Sequence, residues 1–455
     1  MGLLGSILRS AALRKLRKNI RKAEAGDPGA QHRLAITYAR GNGVPQNYAE
    51  AAKWFRKAAE QGLGGAQLWL SDLLAQGRGV EKDLAEAYKW FDLARWGGGG
   101  HFLLDSAIQY QPRLIALMTR DQIAEGQRRA DLFRKADLKA RDKLLNACRN
   151  VDLNANRTGR TGLLLAVGSN HIGAAEILLA EGADINAITS FGVTALHYAA
   201  SRGQRSMVEL LLANNADVNV MDKSGLTALH YAVQENQETL AEPVAELLLA
   251  KGANINAKNN EGVTSLHYAA SRGYKSIVQL LLANNADVNV MEKNGQTPLH
   301  YAVHENRETI AELLLANKAE VKSKDKDGWT PLHYAAKHGH AAVAKLLLAN
   351  GAEVNARNNN GLTPLHWAVA NDHKETAESL LANDADVDAR DDHNFRPLHY
   401  AAGKGHKSML ELLLINKACV NAMSKEGATP LHLAEEAGHV EVSKILLANG
   451  ADDNA

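Results

Sequence analysis

Cysteine is scarce in this chain of 455 residues, aromatic residues make up 5% of it, and long apolar runs are lacking. Its two cysteines, Cys148 and Cys419, cannot form a disulfide framework, so we expect a reducing compartment or a fold that needs no bridges. The apolar stretches fall far short of the ~20 residues of a membrane-spanning helix. With 23% charged residues, the composition excludes collagen-like, disordered and disulfide-rich classes.

The charge is balanced overall but unevenly placed. A net charge of +1 argues against a protein that binds nucleic acid. Residues 1–141 carry 24 Lys and Arg against 14 Asp and Glu, whereas residues 142–455 carry 28 against 37. The basic character belongs to one short arm, because seven bases and no acid fall within residues 1–22: Arg9, Arg14, Lys15, Arg17, Lys18, Arg21 and Lys22.

A motif of the form Thr-x-Leu-His recurs through the C-terminal two thirds of the chain. Successive copies are separated by one constant step, and only the step from Thr227 to Thr264 is longer. Repetition at a constant period predicts a stack of small structural units that share one elongated core. The nine copies begin at Thr161, Thr194, Thr227, Thr264, Thr297, Thr330, Thr363, Arg396 and Thr429.

The sixth block shows how the pattern forms structure. Gly328 permits a turn with positive φ, Thr330 can cap a helix, and Pro331 fits the first helical position. A second helix carries the leucines of 346–348, and Gly351 closes it. One block cannot bury its apolar face alone, but stacked neighbours can.

These residues resemble the ankyrin repeat over about residues 157–455, in nine blocks. The resemblance implies an all-α fold in which helix-turn-helix units with β-turn fingers stack into a solenoid. Two blocks depart from the pattern. The first reads Thr-Gly-Leu-Leu over 161–164, which suggests a repeat adapted to a different neighbour. The eighth has Asn394 for Gly and Arg396 for Thr, so we expect a looser turn and cap.

A second period, two blocks long, overlies the first. After the motif His the blocks alternate between Ala-Val and Ala-Ala, and residues 195–239 are nearly copied at 265–309. That copy lies further along the chain than two regular steps would place it, because four residues are inserted near Leu240–Pro243. We expect a longer loop between the two helices of that block, with Pro243 starting the second helix.

The N-terminal part repeats with a different period. Gly-x-Gly-Val begins at Gly41 and again at Gly77, and a Lys-Trp-Phe motif at 53–55 returns by the same step at 89–91. These features, on helical patterns, resemble the Sel-like repeat, a relative of the tetratricopeptide repeat. The resemblance implies a second helical solenoid of two repeats, with a closing helix near 118–125.

The chain is therefore divided into four parts. They are a basic N-terminal helical arm or cap (1–26), two Sel-like repeats (27–98), closing and connecting helices (99–141), and an ankyrin domain of a capping half-repeat and nine repeats (142–455). Residues 113–149 are expected to be helical with little or no break. No low-complexity linker separates the two arrays, so a rigid junction is expected.

Eighteen histidines raise the question of a metal site. Eight belong to the repeat motif, where each should hydrogen-bond within its turn, one repeat away from the next and too far to share an ion. No nucleophile-elbow, zinc-protease or phosphate-loop motif occurs. Cys148 and Cys419 lie in apolar runs and should be buried and unreactive. We expect no metal, no cofactor and no catalysis. The motif histidines are His197, His230, His267, His300, His333, His366, His399 and His432.

An aromatic column follows the motif His and should pack between repeats: Tyr198, Tyr231, Tyr268, Tyr301, Tyr334, Trp367 and Tyr400. By the resemblance, partners bind at the turn fingers and at the exposed start of the first helices. The candidate protein-binding residues there are Phe191, Arg202, Arg272, Tyr274, Lys326, Asp327, Trp329, Lys337, His338 and Phe395. Large exposed aromatics are typical of hot spots. Trp329 fits that role best, and as an exposed residue it would be replaceable without loss of stability. The alternative is that Trp329 only packs on the adjacent finger, in which case its replacement would lower stability.

Both repeat families are binding scaffolds, so the resemblance implies a non-enzymatic adaptor for one or more proteins. We expect the chain to be monomeric and cytoplasmic. A second interpretation is a membrane-peripheral or host-targeted, secreted effector. Gly2 and Ser6 fit the N-myristoylation pattern, and an acyl chain with a basic patch would bind a membrane through residues 1–22. The alternative for this segment is an amphipathic helix that caps the first solenoid.

Overall fold

The computed structural model describes residues 18–42, 44–96, 110, 112–136, 161–235 and 238–452. These residues form helices, turns and loops, with no strand among them. They divide into two compact units, residues 1–223 and 224–455. The all-α repeat architecture is thereby confirmed. Within the described ranges, none of the helices combines the length and the apolar character needed to cross a membrane.

Five helices of the first unit form its Sel-like part, after a helical segment at residues 18–24. They are α1 (Pro28–Arg40), α2 (Tyr48–Glu60), α3 (Gly64–Gln76), α4 (Leu84–Trp96) and α5 (Arg120–Ala136), each packed on the next. Small alanines let these helices approach closely, and Phe55, Trp90 and Phe91 fill the core between them.

Helix α5 begins at a capping box. Thr119 Oγ1 accepts the Gln122 N–H at 3.3 Å, and the Gln122 side-chain oxygen accepts the Thr119 N–H at 3.0 Å. Residues 116–119 before it are not helical, so the expectation of a nearly unbroken helix from 113 is wrong. Residues 137–149 lie outside the described part. Gly126 seats α5 on α4, since a Cβ there would lie 2.7 Å from the Ala85 carbonyl oxygen.

Each ankyrin block contributes a pair of helices. The first unit contains α6 (Gly162–Gly168), α7 (Ile172–Ala180), α8 (Ala195–Ser201) and α9 (Arg205–Ala213), with α5 packed on α7 and α9. Thr161 caps α6 and accepts the Leu164 N–H at 3.2 Å. The first block thus keeps the helix start while it lies beside a helix of the Sel-like part.

The second unit contains seven such pairs of helices. They are α10 (Ala228–Glu235), α11 (Glu238–Ala250), α12 (Ser265–Arg272), α13 (Lys275–Ala283), α14 (Pro298–His304), α15 (Glu308–Ala316), α16 (Pro331–His338), α17 (Ala341–Ala349), α18 (Pro364–Ala370), α19 (Lys374–Leu381), α20 (Pro397–Lys404), α21 (Lys407–Ile415), α22 (Pro430–Glu436) and α23 (Val440–Ala448).

In the sixth block the helix ends lie where the sequence places them. Thr330 caps α16, Pro331 takes its first position, and Gly328 has a φ of 77°. Asn350 ends α17, and Gly351 follows with a φ of 82°.

The four inserted residues lengthen a helix instead of a loop. Helix α11 runs from Glu238 to Ala250 with Pro243 in its interior, so the predicted loop and the predicted start at Pro243 are wrong. Four residues add about one helical turn, which keeps the face that packs on the stack in register. Ser276 of the next block donates its N–H to Glu238 at 2.6 Å and its hydroxyl to Glu238 at 2.8 Å, so the added turn caps α13.

The eighth block keeps its turn despite its substitutions. Asn394 adopts a φ of 61°, the conformation that Gly has in the other fingers. The Asp391 N–H donates to the Phe395 carbonyl at 2.9 Å, and the Arg396 N–H donates to His399 Nδ1 at 3.0 Å. The turn is therefore not looser than the others. Only the hydroxyl of the usual Thr is lost from the cap.

Candidate functional site

The Asp325 carboxylate stabilises the turn finger of the sixth block through hydrogen bonds. Asp325 Oδ1 accepts the backbone N–H groups of Asp327 at 3.0 Å and Trp329 at 2.8 Å, and Oδ2 accepts the Tyr334 hydroxyl at 2.7 Å. Asp325 is buried, and these bonds compensate for its desolvation. The finger therefore presents Trp329 in a fixed position.

The motif histidine joins neighbouring blocks. His333 Nδ1 accepts the Thr330 N–H at 3.1 Å, and Nε2 donates to the carbonyl oxygen of Leu362, in the next finger, at 3.0 Å. The predicted bond within the turn is confirmed, and the bond to the next block adds to it. The same two bonds recur at His230, His267, His300, His366 and His399.

Burial lowers the pKa of four motif histidines, to about 4 in each case, because a charged ring would lose its hydration. Nδ1 already accepts a backbone N–H, so the neutral ring with its proton on Nε2 is the form that fits. The four residues are His267, His300, His333 and His366. Each stabilises the stack through hydrogen bonds to its own block and to the next.

Four tyrosines of the aromatic column pack on the motif histidine of the preceding block. The ring centroids are 5.0 to 6.2 Å apart in edge-to-face contacts. The predicted packing between repeats is confirmed for Tyr268, Tyr301, Tyr334 and Tyr400.

Trp329 lies in a cluster of side chains from two blocks, which we name the Trp329 cluster: Trp329, Tyr334, Lys337 and Trp367. The Trp329 ring centroid is 4.6 Å from that of Trp367 and 5.1 Å from that of Tyr334. Lys337 Nζ lies 5.0 Å from the Trp329 ring and 5.6 Å from the Trp367 ring, within cation–π range. Trp329 thus packs on the adjacent block while remaining half-buried, so we now expect its replacement to lower stability.

The indole nitrogen of Trp367 is buried and donates to no acceptor among the described residues. Beside the cluster, the ring of His338 lies 4.8 Å from that of His304 and 5.7 Å from that of His340. Burial lowers the pKa of both His338 and His340, and the neighbouring rings act in the same direction. The rings of His338 and His340 are therefore neutral at pH 7, and Lys337 precedes them in the chain.

The other predicted binding residues are distributed along both units. Phe191 is 73% exposed at a finger of the first unit, and Arg202 Nη1 donates to the Gly168 carbonyl at 3.4 Å. In the second unit the Arg272 guanidinium lies 5.9 Å from the Tyr274 ring.

The two turn residues beside Trp329 are tied to the next finger. Lys326 and Asp327 are exposed, and their carbonyl oxygens accept bonds from Asn359 at 2.8 and 3.0 Å. Of the predicted set, the structure brings the Lys337 amine to 5.0 Å from the Trp329 ring, and His338 follows Lys337 in the last turn of α16. The role of all ten in binding remains a prediction.

Phe395 belongs to an equivalent cluster two blocks further on. Its ring lies 5.3 Å from His399 and 6.2 Å from Tyr400, and Tyr400 donates its hydroxyl to Asp391 at 2.7 Å. Sequence reasoning did not select Trp367, His304, Gly403 or Leu433 as surface residues. Comparing positions two blocks apart could have found the last two, because they replace Lys337 and Trp367.

Cys419 is exposed, so the expectation that it is buried is wrong. It follows a buried Ala418 and begins a turn, in which its carbonyl oxygen accepts the Ala422 N–H at 3.3 Å, and the equivalent position of other blocks holds an acid such as Glu353 or Asp386. Cys148, Gly2 and the basic arm up to residue 17 lie outside the described residues. In the part of the chain that the structure covers, no group of three or more His, Cys, Asp or Glu could hold a metal ion.

The repeat geometry agrees with the comparison with protein families. The model for ankyrin repeats matches residues 164–259, 240–325, 310–391 and 389–455. The chain belongs to the ankyrin repeat family. A model for the Sel1 repeat matches residues 28–63 and 65–95 of this ankyrin repeat protein, as the N-terminal resemblance implies. No curated protein matches the chain.

Proposed function

We propose that this ankyrin repeat protein is a non-enzymatic scaffold that binds protein partners through the fingers and first helices of its repeats. Ankyrin and Sel1 repeats are in general protein-interaction modules, which supports this class of function. The proposal extends to one partner on each array, in the cytoplasm, with a monomeric chain.

The Trp329 cluster is the observation that carries the proposal. Two indole rings and a tyrosine lie half-buried where the finger of the sixth block meets α16 and α18, and a lysine lies across the two indoles. An apolar aromatic centre ringed by polar groups has the composition of a binding hot spot.

The test begins with capture of partners by the full chain from cells that express it. A captured protein is then purified and titrated against the chain by calorimetry. We expect Lys337→Glu and His338→Glu to weaken binding by about tenfold or more, equal to about 1.4 kcal/mol.

Lys345→Glu is the matched control, because Lys345 is an exposed lysine on the second helix of the same block. It should bind like the unchanged chain. The proposal fails if no captured protein binds the purified chain, or if all three variants bind it equally.

The second candidate is membrane association through residues 1–22, which the Gly2 pattern and the seven bases favour. Sedimentation with vesicles of phosphatidylcholine, alone or mixed with phosphatidylserine, would test it. Loss of binding on removal of residues 1–22 or on Gly2→Ala in the lipidated protein would support an anchor. Equal sedimentation of all forms would exclude it.

A further inference from the structure

We propose that the eighth and ninth blocks form an apolar pocket that takes one bulky apolar side chain of a protein partner, with a partner carboxylate beside it that pairs with Lys404. This inference rests on the proposed scaffold function and names the chemistry of one partner contact. The expected occupant is an acidic peptide segment whose bulky apolar side chain enters the pocket.

The pocket lies along α20. It has a volume of about 250 Å³, and its wall is mostly apolar. The lining residues are Phe395, His399, Tyr400, Gly403, Lys404 and Leu433. Phe395, Tyr400 and Leu433 are each half-buried, so their faces are available at the surface.

Side chains fill the equivalent space two blocks earlier, in the sixth block. Lys337 lies across Trp329 and Trp367, within 5.6 Å of both rings. The equivalent positions two blocks later hold different residues. Gly403 replaces Lys337, Phe395 replaces Trp329, and Leu433 replaces Trp367. Each of the three replacements is smaller, so the space that the Lys337 side chain and the indoles fill is open. The internal copy shows that a side chain placed there would lie against the aromatic wall.

Packing does not require a glycine at position 403. A Cβ built there would meet only Leu433, at 3.6 Å from Cβ and 3.9 Å from Cδ1, which is ordinary contact. Glycine weakens a helix relative to alanine because it costs more backbone entropy. The one gain visible in the structure is the open pocket.

The size of the pocket indicates what can enter it. Sites for cofactors and drug-sized ligands measure roughly 300–1,000 Å³. A pocket of about 250 Å³ suits a single large side chain. Its aromatic and aliphatic wall favours a phenyl, indole or branched aliphatic group over a polar one.

Charge at the rim favours an acidic partner. Lys404 is exposed and forms no ion pair with any described residue. Two acids of its block are already engaged, since Asp391 accepts the Tyr400 hydroxyl at 2.7 Å and Asp388 pairs with Arg396 at 3.1 Å. Glu436 is exposed in the ninth block, and its carboxylate weakens the preference that Lys404 creates without removing it.

The experiment uses the full chain with methyl-labelled leucine and the probe acetyl-Asp-Phe-Asp-amide. The Leu433 methyl signals, assigned by their absence from Leu433→Ile, should shift on titration. Two comparison peptides replace both Asp by Lys, or the Phe by Gly. We expect at least tenfold weaker binding of the first and no shift with the second.

Variants of the protein make the test specific. Gly403→Lys restores the arrangement of the sixth block and should abolish the shift, while its melting temperature stays equal or rises. Gly403→Ala adds one methyl group and should retain part of the binding. Lys404→Glu should reverse the preference between the acidic and the basic peptide.

Several outcomes would overturn the inference: no Leu433 shift with the acidic peptide, equal shifts in Gly403→Lys, or tighter binding of the basic peptide. Self-association of the chain that Gly403→Lys abolishes would mean that a second copy occupies the pocket instead. If a purified partner binds the chain but binds Gly403→Lys equally well, this inference fails while the scaffold function stands. If no partner binds at all, the scaffold function fails by itself.

Discussion

The imidazole of His333 hydrogen-bonds the carbonyl oxygen of Leu362, in the next finger of the stack, at 3.0 Å. The ring also accepts the Thr330 N–H through Nδ1, so one side chain caps its own helix and fixes the neighbouring turn. Repetition of this arrangement makes the stability of adjacent blocks interdependent, as expected for a linear repeat array.

This arrangement predicts a loss of stability in acid. The ordinary pKa of histidine is 6.5, and burial lowers it to about 4 at four motif histidines. Between these values the unfolded chain binds more protons than the folded chain, so the free energy of unfolding falls as the pH falls. The stabilisation is complete above about pH 6.5 and is lost progressively towards about pH 4.

Native-state hydrogen exchange over residues 264–400, corrected for intrinsic rates, would compare the free energy of unfolding at about pH 7 and at about pH 5. This segment excludes the first unit, where burial raises the pKa of Asp131 to about 6. A raised pKa in the folded chain increases the free energy of unfolding as the pH falls, which is opposite to the effect of the histidines. Equal protection at both pH values would contradict the prediction.

The second prediction compares two motif histidines. His333→Ala leaves the Leu362 carbonyl and the Thr330 N–H without their partners and should lower the free energy of unfolding by about 2–4 kcal/mol. His432, in the last block, is exposed and caps only its own helix among the described residues. We expect His432→Ala to cost about 1 kcal/mol or less. Equal losses in urea denaturation would show that the bond between blocks adds nothing.

The repeat period predicted much of this fold, because caps and turns depend on residue types that recur. Thr330, Pro331 and Gly328 each have a local role that their side chain, ring or lack of a Cβ determines. The bond from His333 to Leu362 could not be predicted in the same way. Its acceptor is a backbone carbonyl, which every residue possesses, so no sequence signal marks it.

The errors have physical reasons as well. A proline after an insertion suggested a loop, but four residues equal about one helical turn, and a longer α11 keeps its buried face in register. Cys419 looked buried because its neighbours are apolar. The acids at the equivalent position, such as Glu353, indicate an exposed site, and that comparison was possible from sequence. The pocket at Gly403 needed coordinates, since its volume depends on the packing of two blocks.

A third prediction concerns Pro243. A proline inside a helix removes one backbone hydrogen bond, here the bond that would reach the Thr239 carbonyl. Pro243→Ala should therefore raise the free energy of unfolding by about 1–3 kcal/mol. Thermal and urea denaturation would measure it. A less stable variant would mean that the half-buried proline ring contributes more by packing than it costs in hydrogen bonding.

A fourth prediction tests modularity. Leu347 is fully buried in α17, and Leu347→Ala should cost about 2–5 kcal/mol as a core truncation. The next residue, Leu348, is only half-buried, so Leu348→Ala should cost clearly less. Because each block contacts only its neighbours, hydrogen exchange should rise mainly around residues 300–390. Faster exchange throughout the chain, including α1 to α5, would contradict a modular stack.

The last prediction separates packing from binding in the Trp329 cluster. Trp329→Ala removes a ring that contacts Trp367 of the next block at 4.6 Å, so it should lower the free energy of unfolding by about 2–3 kcal/mol. Lys337→Ala removes only a half-buried amine and its stem, so its stability should change by about 1 kcal/mol or less. Calorimetric titration of both folded variants with a purified partner then measures the surface role. We expect both to bind at least about tenfold more weakly than the unchanged chain. If Trp329→Ala melts at a lower temperature yet binds normally while folded, Trp329 acts by packing alone and the binding surface lies elsewhere on the stack.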